Sequence, residues 1–101
     1  MNKGFKIVLA ESRLSATGTI PNFSSYKEIV VVVCANGLSK SYYMPIEFWR
    51  ANSSIVFANF WQYEEANKGY ATINISNTGR YHVGNGIPAN SANSSVSVWA
   101  R

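Results

Sequence analysis

Apolar and polar residues alternate at every second position through much of this chain, the period of a β-strand with one face buried. "GYATINIS" (69–76) shows it most plainly, with Ala71, Ile73 and Ile75 on one side and Thr72, Asn74 and Ser76 on the other. "SSVSVWA" (94–100) repeats the pattern with Val96, Val98 and Ala100, and "FKIVLA" (5–10) predicts Phe5, Ile7 and Leu9 on one face. "TGTIPNF" (17–23) predicts a short edge-like strand stopped by Pro21, which cannot donate to a ladder. "KEIVVVVCAN" (27–36) is rich in β-branched residues and runs into Asn36-Gly37, a dipeptide that tolerates the positive φ of a tight hairpin turn. "LSKSYYMPI" (38–46) returns from it, and "EFWRAN" (47–52) predicts a short helical or irregular turn. "SSIVFANFWQY" (53–63) is a further strand, and "RYHVG" (80–84) follows the turn at Asn77-Thr78-Gly79. Seven or eight short strands without an amphipathic helix predict a small all-β domain over residues 1–101, an antiparallel β-sandwich or jelly roll.

Two strands break the alternation. In 29–34, Ile29, Val31 and Val33 share one face while Val30, Val32 and Cys34 take the other. In 55–61, Ile55, Phe57 and Trp61 oppose Val56, Ala58 and Phe60. A sandwich sheet ordinarily turns one face to the core and one to water, so a strand apolar on both sides needs a second cover. With no helix to supply it, sister subunits are the expected cover. Val30, Val32, Val56 and Phe60 are the expected subunit contacts, and the chain is expected to be a homo-oligomer. Burying a Val- or Phe-sized side chain contributes about 1.5–3 kcal/mol, a large fraction of a domain stability of about 5–15 kcal/mol.

Composition narrows the function. Charged residues make up only 14% of the chain, against about 25% in typical soluble domains, and Ser and Asn supply the polarity instead. The net charge of +4 comes from nine Lys and Arg that never occur side by side, so it does not form the concentrated basic stripe of a nucleic-acid binder. Nucleic acid therefore ranks last among the partners. The single cysteine, Cys34, excludes an intrachain disulfide and reads as a buried, inert thiol. The opening apolar stretch "IVLA" is too short for a signal peptide, and no stretch suits membrane insertion by a helix. Cytoplasmic synthesis is the expectation.

The segment 59–86 holds Glu64, Glu65 and His82, the chain's one histidine, and raises the question of acid–base chemistry. Adjacent glutamates in an extended chain point to opposite sides, and "EEANKG" reads as a hairpin loop. A glycosidase-like carboxylate pair needs a fixed spacing across a cleft, which these positions give no reason to expect. Asp is absent, so no aspartate can orient the imidazole in a Ser-His-Asp triad, and calcium sites lose their usual ligand. One His with one Cys cannot hold zinc. No catalytic residue, metal or cofactor is assigned, and the expected protein is not an enzyme.

Aromatic residues make up 14% of the chain and concentrate in "SYYMPIEFW" (41–49) and "FANFWQY" (57–63). Most are expected in the core or at subunit contacts. The remainder, beside Asn- and Ser-rich loops, suit a glycan-binding surface or, less well, the stacking of single-stranded nucleic acid on a small β-barrel. Tyr63, Asn67, Tyr70, Arg80, His82 and Asn85 are the candidate ligand-binding residues.

The order of segments resembles the small β-sandwich modules at the C-terminal ends of phage and prophage tail proteins. The matching pieces are "SATGTI" (15–20), "YKEIVVVV" (26–33), "YYMPI" (42–46), "ATINISNTG" (71–79), "GNG" (84–86) and "SVSVWAR" (95–101). The resemblance covers most of the chain through patterning, without an invariant motif. It implies a virion protein, a module commonly repeated around a threefold axis that attaches to a host surface glycan or protein, with a trimer favoured. Family members commonly sit behind a long upstream fibre or baseplate-binding region, so the sequence is expected to be either a fragment of a longer fibre or a free-standing small protein. Two alternatives remain: a purely structural, homo-oligomeric virion or fibre assembly protein, and the nucleic-acid-binding barrel.

Overall fold

A computed structural model describes residues 4–12, 15–35, 38–64, 67–84 and 95–101; for 60–64 and 67–70 it describes the backbone alone. Among the described residues eight strands form two antiparallel sheets. The first sheet has the order β1 (Lys6–Glu11), β8 (Ser95–Ala100), β3 (Glu28–Ala35), β4 (Leu38–Pro45). The second has the order β2 (Thr17–Thr19), β7 (Arg80–Val83), β6 (Asn67–Ser76), β5 (Ser54–Glu64). The architecture is a small all-β sandwich of two separate sheets, not a closed barrel.

The alternation in β3, β6 and β8 is realised as expected. Ile29, Val31, Val33, Ala71, Ile73, Ile75, Val96, Val98 and Ala100 are all buried between the sheets. Ala35 pairs directly with Leu38, so β3 and β4 are joined by the two residues Asn36-Gly37, themselves outside the described residues. The expected turn at 47–52 contains a one-turn helix, α1 (Phe48–Ala51).

Two connections that cross between the sheets close one end of the sandwich. A 3₁₀ turn, Phe23–Ser25, lies between β2 and β3, and α1 lies between β4 and β5. Each contributes one buried aromatic residue, and the rings of Phe23 and Trp49 meet edge-on at 5.1 Å. The Trp49 indole would leave a buried donor unsatisfied, but its Nε1 donates to the Ile75 carbonyl at 2.9 Å. Along the β4–β5 edge, the Asn59 amide donates to the carbonyls of Val33 (2.9 Å) and Leu38 (2.7 Å), and the Tyr42 hydroxyl donates to the Ala58 carbonyl.

Two sequence expectations are corrected. Phe5, Ile7 and Leu9 do not share a face, because the β1–β8 register shifts between Ile7 and Leu9. That bulge accommodates one extra residue, so Ile7 stays outside opposite Trp99 while Leu9 turns in against the core. Cys34 is not in the interior: it is half-buried on the outer face of the first sheet, out of step with the buried Val33 and Ala35.

Candidate functional site

Register gathers polar side chains on one face of the molecule. On the outer face of the second sheet, Thr17 lies opposite His82, His82 opposite Asn74, and Asn74 opposite Val56. In the adjacent row Thr19 lies opposite Arg80 and Ser54 opposite Ser76. The Arg80 backbone N–H donates to Ser76 Oγ at 3.2 Å and ties the row together. All of these side chains except that of Val56 line an open groove of about 580 Å³. Their outward direction follows from the inward packing of Ile73, Ile75 and Val83 at the intervening positions.

Ser76 also shapes the turn at the end of the groove. Its hydroxyl lies 3.0 Å from Thr78 Oγ1 and accepts from the Thr78 N–H at 3.3 Å. Asn77 and Thr78 belong as well to a second hollow of about 500 Å³, where Asn22, Ser24 and Arg50 surround Phe23, Trp49 and Ile46. The two hollows therefore adjoin at Asn77-Thr78.

Their electrostatics are one-sided. Among the described residues no carboxylate lines either hollow, whereas each holds one arginine and the first also holds His82. Glu47, one turn before Arg50, is the acid closest to it in sequence and lines neither. Arg80 and His82 are exposed and can present five guanidinium donors and the imidazole nitrogens to a ligand. Such a surface, with hydroxyls, amides and an arginine fork, is equipped for polar recognition. Among the described residues no group of three or more His, Cys, Asp or Glu could hold a metal ion.

The outer face of the first sheet is the opposite in character. Phe5, Val30, Val32 and Trp99 line a hollow of about 300 Å³. Ile7 (49% exposed) and Tyr43 (55% exposed) extend this apolar row to both edge strands, in register with Trp99 and Val30 respectively. A polar corner closes it. Glu28 accepts from the Tyr43 hydroxyl and pairs with Arg101 Nε at 2.5 Å, and the Arg101 guanidinium lies 4.3 Å from the Phe5 ring centre. Hydrogen bonds from Tyr43 and then Arg101 hold the Glu28 carboxyl below its ordinary range, while the bond to Glu28 raises the Tyr43 phenol.

The residues chosen from the sequence are dispersed. Arg80 and His82 lie together in the polar groove. Asn67 stands seven positions further along β6 from Asn74, roughly 23 Å at the rise of an extended strand. Tyr63, Asn67 and Tyr70 thus belong to the far end of the β5–β6 hairpin, with side chains outside the described residues, as is all of Asn85. Glu64 pairs with Asn67 at that far end, so it and His82 cannot act as an acid–base pair. Glu65 lies outside the described residues.

Of the expected subunit contacts, Val30 and Val32 share the apolar face of the first sheet, but Val56 lies on the outer face of the second, 59% exposed. The Phe60 side chain lies outside the described residues. The aromatic segments divide too: Trp49 and Phe57 are buried and Tyr42 packs against the core, while Tyr43 and Phe48 are exposed. Sequence reasoning missed Thr17, Thr19, Ser54, Thr78 and Arg50. The alternation of Thr17 and Thr19 about Gly18 was the available signal for two of them.

Fold and surface together define a two-sheet, all-β sandwich with one polar, cationic outer face and one apolar outer face. No protein-family model, curated protein or solved structure matches the chain.

Proposed function

We propose that this protein is a non-enzymatic attachment module that binds a cell-surface glycan on the outer face of its second sheet and is held to sister copies by the apolar face of its first. The observation that supports this reading is the polar groove, where Thr, Ser and Asn side chains surround Arg80 and His82 with no carboxylate among the described lining residues. Sugar rings present dense hydroxyls that both donate and accept, and hydroxyl and amide side chains match them in both senses. The groove is open, which suits the end or edge of a chain on a surface. In the phage-tail setting that the sequence resembles, the module would work at the virion tip against a host surface, and its gene would lie among those of virion structural proteins.

Binding to whole bacterial cells and to an array of immobilised glycans tests the reading. The Asn74→Ala, His82→Ala double variant removes two polar groups from one row and is expected to bind about 10-fold more weakly, from about 0.5–1.5 kcal/mol per lost hydrogen bond. A folded wild-type protein that binds neither cells nor any glycan would leave the purely structural assembly role.

A further inference from the structure

We infer that the two adjoining hollows take an acidic polysaccharide, a chain bearing carboxylate or sulfate groups, with Arg80 and Arg50 meeting successive anionic groups; this rests on the glycan-binding reading above. The inference comes from charge. Among the described residues each hollow contains one arginine and no acid, and the two meet at Asn77-Thr78, so an extended ligand can run from one into the other. Neither arginine forms an ion pair with a described residue, in contrast to Arg101, which is engaged by Glu28.

Position strengthens the case. Arg80 opens β7, where it pairs with Thr19 of β2, and its backbone N–H donates to Ser76 Oγ of β6 at 3.2 Å, so its backbone is tied to both neighbouring strands. Arg50 stands on α1, anchored by the burial of Trp49 beside it. Two guanidinium groups whose backbones belong to packed elements, each with hydroxyl and amide neighbours, form a discriminating site rather than a diffuse cationic surface. Arginine matches a planar carboxylate or a sulfate through paired N–H donors, whereas a neutral sugar would leave that capacity unused. The second hollow adds the half-buried Ile46 side chain as an apolar contact, with Phe23 and Trp49 buried beneath it.

The test uses the whole chain at about 0.15 M salt, where attraction between exposed charges is screened within about 8 Å. Polygalacturonate and chondroitin sulfate are the acidic probes, dextran and galactan the neutral ones, and oligo-dT the nucleic-acid competitor. Arg80→Gln and Arg50→Gln are each expected to weaken acidic-probe binding about 10-fold, and Arg80→Lys, which keeps the charge but loses the fork, about 3-fold. Lys40→Gln, an equal charge loss on β4 of the first sheet, is expected to change it less than about 2-fold. Unchanged unfolding midpoints establish that all four variants fold.

Equal binding of acidic and neutral probes overturns the acidic assignment while the glycan reading stands. Failure of every saccharide to bind overturns both. A Lys40→Gln loss as large as that of Arg80→Gln reduces the effect to unspecific polyanion attraction and overturns the site. Displacement of polygalacturonate by oligo-dT at equal or lower concentration assigns the hollows to nucleic acid instead, and also overturns it.

Discussion

Gly79 turns the chain at the end of the polar groove with φ +87°, and a Cβ there would lie 2.6 Å from Phe23 Cβ and 2.8 Å from the Ile20 carbonyl oxygen. The conformation and the space both demand glycine, and the backbone carbonyl cannot swing away as a flexible side chain could. Gly79→Ala is therefore expected to lower stability by about 2–4 kcal/mol, from left-handed strain plus overpacking. A urea titration measures it, and a loss below about 1 kcal/mol would show that the turn relaxes. Glu28 offers a second test, in pH. Its carboxyl is held low in the folded protein by Tyr43 and Arg101, so its contribution is fully present above the unfolded carboxyl range. That contribution is lost as pH falls through the depressed folded value. The Tyr43 phenol, raised by the same bond, contributes below its unfolded range and loses that contribution as pH rises through its raised value. Glu28→Gln is expected to flatten the acid limb of a plot of unfolding midpoint against pH between about pH 6 and 3, without abolishing it, because other glutamates remain. Parallel limbs in the two proteins would show that the corner contributes nothing to acid sensitivity.

Strands whose own buried face alternates without interruption were legible in the sequence, because that face imposes period two on the residues themselves. Val96, Val98 and Ala100 on β8 are the clear case, as are Ala71, Ile73 and Ile75 on β6. The first strand was not legible: its bulge between Ile7 and Leu9 is set by pairing with β8, at the other end of the sequence. For the same reason the candidate site was half visible. Arg80 and His82 face outward by local alternation, but their neighbours Thr17 and Thr19 arrive through a pairing of β2 with β7 that no local pattern encodes. Arg50 lines the second hollow together with Asn77 and Thr78, residues 27 and 28 positions away in sequence, which no local pattern encodes. Long-range pairing also explains Asn59, an amide on the inward side of β5. It closes the β4–β5 edge by serving two carbonyls of the facing sheet, so Asn59→Leu is expected to cost about 1–3 kcal/mol in a urea titration by leaving Val33 and Leu38 short of a donor. A neutral or stabilising result would mean that water replaces the amide at that edge.

The two outer faces lie on opposite sides of the sandwich, and this separation governs how the whole molecule would work. A contiguous apolar row from Ile7 through Trp99 and Val30 to Tyr43 is an uncommon surface for a soluble monomer. If sister copies cover it, the polar grooves of all subunits stay exposed on the outside of the assembly, and each adds one binding site to the same surface. Weak single-site affinity for a glycan then becomes firm attachment, since linked sites raise avidity by about 10²–10⁴ without any new contact. Val32→Lys separates the two functions. It sets a charge in the hollow lined by Phe5, Val30 and Trp99, remote from the polar groove. Light scattering on a sizing column should then show a monomer that keeps its affinity for a free oligosaccharide and loses most of its retention on a glycan-coated surface. A wild-type protein that is already monomeric at micromolar concentration would remove sister subunits as the cover of the first sheet. Attachment would then have to rest on the affinity of a single groove.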